Sequence, residues 1–342
     1  MPEAETEVAA LDDLPEGWLA QEWWSPAVAS RPGRSVQWAG DARWDVRFVV
    51  ARVDGALAGV LPVGGLRVAK APDEAYSCHA LLAAGSADER DWLVVGGGRD
   101  LAGGAAVAAW VPGGDRAAVV TALTRRALDE AARQGRRAAF LYLPEAQKEA
   151  VVEAFERPCL VPLGELAVLA TDHPDLDHYL LTLPSGRRNK IRRDWRAFRE
   201  LGLSSEWVDA HDALEEAAPL VTLVKAVHGI PDHPRFARLR LEAWMAAGVG
   251  RCRAVTVRDA TGLLVAASFV CDAGESLEVY EVGLADDPST RLPGYLESCY
   301  YAPLREAVRL GRSRLELGME AAAAKRSRGA VLSPVWAVTE SP

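Results

Sequence analysis

The residues of this sequence that could carry out chemistry lie in three short segments of its second half. They are a cationic run from Arg187 to Arg199, a histidine-bearing loop from His228 to Phe236, and a strand with its following loop from Leu277 to Gly294. None of these segments contains a cysteine, and the sequence has no Gly-x-Ser-x-Gly element and no phosphate-loop lysine. The chemistry that remains is binding, positioning and proton transfer.

The third segment predicts an anion-binding loop between a strand and a helix. Alternating residues from Leu277 to Val282 predict a strand, and a turn-rich connection with Arg291-Leu-Pro-Gly294 follows it. We predict a helix from Gly294 to Leu310, ended by Gly311, and a further strand over Leu315–Leu317. Such a unit presents backbone N–H groups at a helix N-terminus to an anionic or polarised acyl carrier.

This loop and helix resemble the pyrophosphate-binding element of the GNAT acyltransferases, whose loop follows Arg/Gln-x-x-Gly-x-Gly/Ala. Arg291 and Gly294 match the pattern, whereas Leu296 stands at its last small position. The resemblance implies that Arg291 and Gly294 bind the acyl donor. A leucine at that position would crowd the pyrophosphate of coenzyme A, which favours a donor of another shape.

The end of the sequence is similar to the Fem-type branch of the same superfamily. The similar residues are Gly318, Lys325 and Arg328-Gly329. That branch includes enzymes that take an aminoacyl group from a tRNA, and relatives with other acyl donors. The resemblance therefore implies that Lys325 and Arg328 bind the terminal phosphates of a tRNA.

Tyr280 and Glu281 lie on the strand where a GNAT-like fold places its reacting centre. An acyltransferase that holds donor and acceptor in contact needs no nucleophile of its own, because proximity lowers much of the barrier. Glu281 would then serve as the general base, or Tyr280 as the proton donor to the leaving group. Strand alternation sends the two side chains to opposite faces, so we expect only one to face the site.

The cationic run predicts a helix with one basic face. Its arginines Arg188, Arg192, Arg196 and Arg199 share that face, and Ile191, Trp195 and Phe198 share another. The run is either a phosphate-binding surface, with Arg188 and Arg192 as donor-binding residues, or the solvated face of a surface helix. The segment also resembles the opening of the second domain in Fem-like families.

His228, Asp232 and His233 cluster in the loop between two predicted helices. Their spacing does not suit a metal, and no second group of ligands complements them, so we expect no metal site. The cluster is either part of an acceptor-binding pocket or an ordinary polar helix connection. The predicted reacting centre lies between this loop and the strand Leu277–Val282.

Length and composition predict a two-domain globular protein. The chain has 342 residues and a net charge of −9, which argues against a protein whose whole surface wraps nucleic acid but leaves room for a local basic patch, and we expect no DNA partner. Five scattered cysteines fit reduced thiols. No apolar run is long enough to span a membrane, and the acidic N-terminus lacks a signal pattern, so we expect a cytoplasmic location.

An ordered recurrence predicts that the two halves are copies of one α/β unit. Hairpins with turns at Asp54-Gly55 and Asp259–Gly262 are each followed by a helix, which ends at Gly135 or Gly311, and then by a strand. We therefore predict two tandem GNAT-like domains, each a mixed twisted sheet flanked by helices. The expected bounds are residues 1–170, a linker over 171–186, and a donor-binding domain over 187–342.

Together these observations predict a Fem-like acyltransferase that moves an aminoacyl group from an aminoacyl-tRNA to an amine or related nucleophile. The acceptor would be a small molecule, a peptide or a cell-wall precursor. The aminoacyl-tRNA is a co-substrate, and no permanently bound cofactor is expected. One alternative is a GNAT N-acyltransferase that uses acyl-coenzyme A, and another is an inactive GNAT-like binding module.

Overall fold

The chain contains both strands and helices in each half, as the sequence predicts. The computed structural model describes residues 4–71, 73–82, 87–98 and 102–341. Its strands are β1 (Glu5–Ala9), β2 (Trp23–Trp24), β3 (Trp44–Val53), β4 (Ala56–Leu66), β5 (Trp92–Val95), β6 (Ala106–Ala108), β7 (Arg137–Pro144), β8 (Pro158–Ala170), β9 (Ser204–Asp209), β10 (Arg251–Arg258), β11 (Leu264–Asp272), β12 (Ser276–Leu284), β13 (Arg314–Glu316) and β14 (Val331–Glu340). Its α-helices are α1 (Pro32–Ala39), α2 (Cys78–Leu82), α3 (Arg116–Arg133), α4 (Glu145–Val152), α5 (Leu176–Thr182), α6 (Ser185–Glu200), α7 (Ala210–Val227), α8 (Pro234–Ala246), α9 (Pro288–Leu296), α10 (Ala302–Arg309) and α11 (Ala322–Arg326). A π-turn over Glu297–Tyr301 joins α9 to α10.

The chain divides into two units, and each has its own buried apolar cluster. Unit 1 comprises Met1–Leu166 and Ser333–Pro342, and unit 2 comprises Ala167–Leu332. The strand order in unit 1 is β1-β3-β4-β5-β7-β14, and the short strands β2 and β6 pair beside β4. The order in unit 2 is β9-β10-β11-β12-β13, followed by the last part of β8.

The two units share one connectivity. The connection from β5 to the parallel strand β7 passes through β6 and α3, and α9 with α10 connects β12 to the parallel strand β13. The preceding hairpins, β3–β4 and β10–β11, occupy equivalent places in their sheets. Gly135 and Gly311 follow the equivalent helices with φ of 66° and 65°, a conformation that glycine adopts without strain. The predicted fold class, two tandem α/β domains with mixed sheets, is confirmed.

The unit boundaries differ from the predicted ones in two ways. Residues from Ser333 onward belong to unit 1, because β14 pairs with β7 and buries Val335 and Val338 there. The predicted linker contains α5, whose N-cap is Asp175 and whose Leu180 is buried in unit 2. Sequence alternation identifies a strand but does not say which sheet edge it joins, so the return of the last strand could not be foreseen.

Candidate functional site

The central parallel strands of unit 2 diverge. Strand β13 pairs with β12 over only three residues, from Ser276 opposite Arg314 to Glu278 opposite Glu316. Strand β12 then continues to Leu284, six residues beyond its last pair with β13. Diverging parallel strands leave main-chain groups at the carboxyl end of a sheet, which is where α/β folds commonly bind ligands. The candidate site is therefore built around the second half of β12.

A β-bulge turns Tyr280 and Glu281 toward the same helix. Val279 pairs with Val270 and Val282 pairs with Ser268, so two residues of β12 stand opposite one residue of β11. The ring of Tyr280 stacks on Trp244 of α8, with centroids 4.9 Å apart and an interplanar angle of 3°. Glu281 bonds to Arg240, one turn earlier on the same helix. The expectation that alternation separates the two side chains is wrong, because the bulge interrupts the alternation.

The carboxylate of Glu281 is the centre of an ion-pair cluster. Arg240 donates from Nε to Oε1 at 2.8 Å and from Nη2 to Oε2 at 3.3 Å, and Lys225 Nζ lies 3.6 Å from Oε1. Burial lowers the pKa of Arg240, but the charges of Glu281 and Asp232 raise it further, so the guanidinium stays protonated. In this geometry both oxygens of Glu281 face cations, which does not fit the predicted role of a free general base.

The predicted acceptor loop does lie beside this strand. Asp232 Oδ2 accepts a hydrogen bond of 2.8 Å from Arg240 Nη2, which places the loop next to Glu281. His233 has another task, because its Nδ1 accepts from the N–H of Arg235 at 3.1 Å and caps the start of α8. His228 is exposed at the end of α7. Of the three predicted acceptor-binding residues, the structure brings only Asp232 to the Glu281 cluster.

Arg291 and Gly294 do not form a loop. Both lie inside α9, which begins earlier than predicted, at Pro288. Arg291 Nη1 donates to the carbonyl of Ala285 at 3.0 Å, and Gly294 is buried against Ala266, where an added Cβ would lie 3.1 Å from that side chain. The prediction that these two residues cradle a pyrophosphate is therefore corrected.

A carboxylate already occupies the N-terminus of α9. Asp287 accepts from the N–H of Ser289 at 3.0 Å and from its hydroxyl at 2.7 Å. The Ser289 side chain, followed by its backbone N–H, lowers the pKa of Asp287, so the cap is ionised. A pyrophosphate at this position would meet a negative charge where the GNAT pattern needs unshielded N–H groups. Leu296, which was expected to crowd the pyrophosphate, is buried in the core of unit 2.

Lys325 and Arg328 are buried and engaged within unit 2. The Lys325 ammonium donates to the carbonyls of Leu317 at 2.6 Å and Gly318 at 3.1 Å, and also to the carbonyl of Met319. Burial lowers its pKa to about 8. Arg328 donates from Nη2 to Asp194 at 2.8 Å. The prediction that the two residues contact phosphates is corrected: Lys325 fixes the end of β13, where the strands diverge.

Helix α6 carries the predicted basic face. Its residues Arg192, Arg193, Arg196 and Arg199 are exposed, and within the described residues none of their side chains forms an ion pair or a hydrogen bond. Arg188 differs, because it is half-buried and donates to the carbonyl of Leu183 at 2.7 Å. The opposite face holds Ile191 in the core and directs Asp194 to Arg328.

The sequence contained one signal that was overlooked. Asp287, Pro288 and Ser289 form a helix start, with a capping side chain followed by proline at the first helical position. That signal places Arg291 in the helix and outside any loop. The role of Arg240 carried no such signal, because it meets Glu281 only through the packing of α8 on β12, 41 residues away in sequence.

Comparison with known proteins gives a family match and several fold matches. Residues 185–326 match the family model described as an acetyltransferase (GNAT) domain. The solved structure of FemX is 11% identical, with a TM-score of 0.61 and 93% coverage of both chains. L-PGS from Bacillus licheniformis is 11% identical, with a TM-score of 0.55 over 86% of this chain and 84% of that one. A tandem GNAT protein from the clavulanic acid biosynthesis pathway is 14% identical, with a TM-score of 0.50 over 99% of both chains.

These likenesses to solved structures concern the fold, since all three identities are low. Among curated proteins the comparison finds no match. Within the described residues, no helix has both the length and the apolar character that crossing a lipid bilayer requires.

Proposed function

We propose that unit 2, in which residues 185–326 match the model of a GNAT acetyltransferase domain, moves an aminoacyl group from an aminoacyl-tRNA to the amine of a small-molecule or cell-wall-precursor acceptor. The matched domain, residues 185–326, lies within unit 2 and contains both the diverging strands and the basic helix. FemX and the other neighbours support a two-domain acyltransferase fold, and the choice of donor rests on α6 and α9.

The observation that carries the proposal is the unneutralised arginine face of α6. Elsewhere in unit 2, some exposed arginines pair with carboxylates, such as Arg238 with Glu215 at 2.7 Å and Arg309 with Glu306 at 2.7 Å, whereas Arg235 and Arg251 are exposed singly. Arg192 and Arg196 stand one turn apart with no such partner among the described residues. Like charges at this spacing destabilise a helix by about 0.2–0.5 kcal/mol per pair, so folding alone gives no reason for them. A polyanion would supply the missing charge.

The start of α9 separates the two donor classes. Coenzyme A would place its pyrophosphate against backbone N–H groups at this helix start, and Asp287 occupies that position with a carboxylate. Asp286, exposed beside it, is a second carboxylate and lies 3.8 Å from Arg291 Nη1. A tRNA donor needs to place only its acyl-bearing end beside the second half of β12, since its phosphates can be held on α6.

The transfer itself requires little covalent chemistry from the protein. The acceptor nitrogen attacks the ester carbonyl of the aminoacyl group, so that a C–N bond forms. The C–O bond to the terminal ribose then breaks, and the proton released by the nitrogen ends on the ribose oxygen. Holding the two substrates in contact beside β12 would provide much of the rate. Tyr280, on the same bulge as Glu281, is our candidate for the proton donor.

The test is the binding of aminoacylated tRNA to a charge-reversed α6. Arg192→Glu with Arg196→Glu should weaken binding about 10- to 100-fold near 0.1 M salt and flatten the slope of log affinity against log salt by about two units. Both arginines are exposed and leave Ile191 packed, whereas Arg188 would be a poorer probe because its hydrogen bond to Leu183 would also be lost. Arg125→Glu with Arg133→Glu on α3 of unit 1 is a control for the change of net charge, although these two exposed arginines pair with Glu153 and Glu130, and it should leave binding unchanged in protein that remains folded.

Consumption assays distinguish the alternatives. The purified chain should consume aminoacyl-tRNA in the presence of total amine metabolites and should leave acetyl-coenzyme A intact. Salt-independent tRNA binding, or equal loss of binding in the α3 control, would overturn the donor assignment. Consumption of acetyl-coenzyme A instead would favour the acyl-coenzyme A alternative, and consumption of neither would favour an inactive binding module.

A further inference from the structure

In the ion-pair cluster around Glu281, the helices and the strand contribute one more positive than negative charge, and the loop between the helices contributes the second negative charge. Helix α7 contributes Lys225, α8 contributes Arg240, and β12 contributes Glu281, so the regular elements bring two cations to one anion. The second anion, Asp232, comes from the connection between α7 and α8. The framework alone would therefore hold one uncompensated positive charge.

The burial of these side chains makes that charge important. The exposed fractions are 23% for Arg240, 11% for Glu281 and 8% for Asp232, while Lys225 is 34% exposed at the edge. An uncompensated charge at such depth is costly, and Asp232 removes that cost through its bond to Arg240. The other charged groups nearby are occupied elsewhere or exposed: Arg238 pairs with Glu215 and Glu242 on the outer face, and His228 and His233 lie exposed on the loop.

The segment that delivers Asp232 is not part of any regular element. Residues 228–233 contain Gly229, with φ of 72°, and Pro231, and they join two helices. Besides its bond to Arg240, the carboxylate of Asp232 accepts, from the described part of the chain, only the N–H of the adjacent His233 at 2.8 Å. A short connection of this kind can move without unpairing a strand or unwinding a helix.

We propose that Asp232 holds the place of an anionic group of the acceptor, a carboxylate or a phosphate, which Arg240 and Lys225 bind when the loop moves aside. The cation pair lies beside Tyr280 and Glu281, so an anion bound there would fix the acceptor next to the diverging strands. In this respect the inference rests on the proposed function, because it takes unit 2 as the place of transfer. Binding of the anion itself needs no donor and can be measured separately.

Asp232→Asn tests the proposal by removing the internal competitor while keeping the shape of the side chain. The probes are acetate and inorganic phosphate, titrated at constant ionic strength against the thermal unfolding of the full chain without any donor. Because Asp232 occupies the site in the wild type, the variant should be half-saturated at a concentration about tenfold lower. Tighter binding of acetate would identify a carboxylate acceptor, and tighter binding of phosphate a phosphorylated one.

Two further variants complete the experiment. Lys225→Gln, made in the Asp232→Asn background, should weaken probe binding again, because Lys225 is the exposed member of the cation pair. Glu275→Gln, which removes an exposed turn carboxylate elsewhere in unit 2, is the control for a general change of charge and should respond like the wild type.

Equal responses of the wild type and Asp232→Asn to both probes would overturn the proposal, as would a Lys225→Gln variant with undiminished binding. If Asp232→Asn does not fold, Lys225→Gln alone decides, since it should raise the half-saturating concentration relative to the wild type. The charge-reversed α6 variant should retain its anion response even if it loses tRNA, so failure of the donor assignment stays distinguishable from failure of this one.

Discussion

The two units differ at the position beyond their central parallel strands. In unit 1 a segment of the chain fills the space past the paired residues of β5 and β7, whereas in unit 2 the equivalent strands β12 and β13 separate. Beyond the paired residues of β5 and β7, Gly103 donates its N–H to the carbonyl of Tyr142 on β7 at 3.0 Å. The side-chain amide of Gln147 holds the same segment through both backbone groups of Ala105, at 2.9 and 2.8 Å. The position that would bind a substrate in such a fold is thereby closed by the protein itself.

Unit 2 handles the same position differently. Strand β13 ends at Glu316, and in the described part of the unit no other strand replaces it beside the last six residues of β12. Lys325 holds the chain at the end of β13 by donating hydrogen bonds to three backbone carbonyls. The same fold thus occurs twice, with the position beyond the parallel strands filled in unit 1 and open in unit 2. This difference is our reason for proposing that the transfer takes place in unit 2.

The two long crossover helices also begin differently. Helix α3 of unit 1 has Asp115 at its N-cap position but no side-chain capping bond at its start. Helix α9 of unit 2 is capped by Asp287. The two helix starts therefore differ in the capping bond, which is present at α9 and absent at α3.

The largest effect that we expect comes from breaking the support of β13 with Lys325→Met. Three carbonyl groups would lose a buried donor, so the free energy of unfolding should fall by roughly 2–4 kcal/mol at pH 7. Denaturant unfolding, followed by circular dichroism, measures the loss. A change below about 1 kcal/mol would show that the carbonyls find other partners, and would remove Lys325 from the account of the diverging strands.

The same variant gives a pH dependence with a defined sign. Burial lowers the pKa of Lys325 to about 8, whereas an unfolded lysine titrates near 10.4. Between these values the unfolded chain binds more protons than the folded chain, so the stability of the wild type should rise with pH relative to Lys325→Met. A difference that shrinks with pH would mean that the three carbonyl bonds outweigh burial and hold the ammonium protonated.

The sequence was a good guide wherever the pattern was local. The alternation from Leu277 to Val282 identified β12, and Gly135 and Gly311 marked the ends of equivalent helices. The prediction failed at Arg291 and Gly294, which match a short loop motif. Asp287, as a helix-capping residue just before Pro288, indicates instead that the helix begins before them. The family resemblance agrees with the GNAT domain model that matches residues 185–326, and the placement of individual ligands did not follow from it.

The remaining errors come from packing that no local pattern encodes. The bulge at Tyr280 and Glu281 depends on how β11 and β12 align, and it reverses the face that alternation assigns. The arginine that occupies Glu281 comes from another element. Lys325 and Arg328 carry charges that suggest exposure, yet carbonyls and Asp194 make their burial possible.

A smaller effect should follow from weakening the closed gap of unit 1 with Gln147→Leu. The leucine fills a similar volume but leaves the N–H and the carbonyl of Ala105 without their partners, which should cost about 2 kcal/mol of unfolding free energy. Binding of aminoacylated tRNA should be unchanged, because α6 belongs to unit 2. If the variant is as stable as the wild type but loses tRNA binding, the division of labour between the units is wrong. Gln134→Leu, an exposed position at the end of α3, serves as the control for replacing a glutamine in the same unit.

The smallest effect on stability is expected from Asp287→Asn at the start of α9, the helix start that differs between the two units. Asparagine caps helices about as well as aspartate, so the loss of stability should be smaller than either of the preceding ones. What changes is the charge that an incoming anion meets.

Coenzyme A should not raise the melting temperature of the wild type, and it should begin to do so in Asp287→Asn only if the helix start is otherwise shaped for a pyrophosphate. Protection of the wild type by coenzyme A would show that the carboxylate does not exclude the pyrophosphate, and the acyl-coenzyme A alternative would then replace the tRNA donor. Protection of neither protein would mean that the geometry of α9, with Arg291 and Gly294 inside the helix, excludes coenzyme A independently of charge.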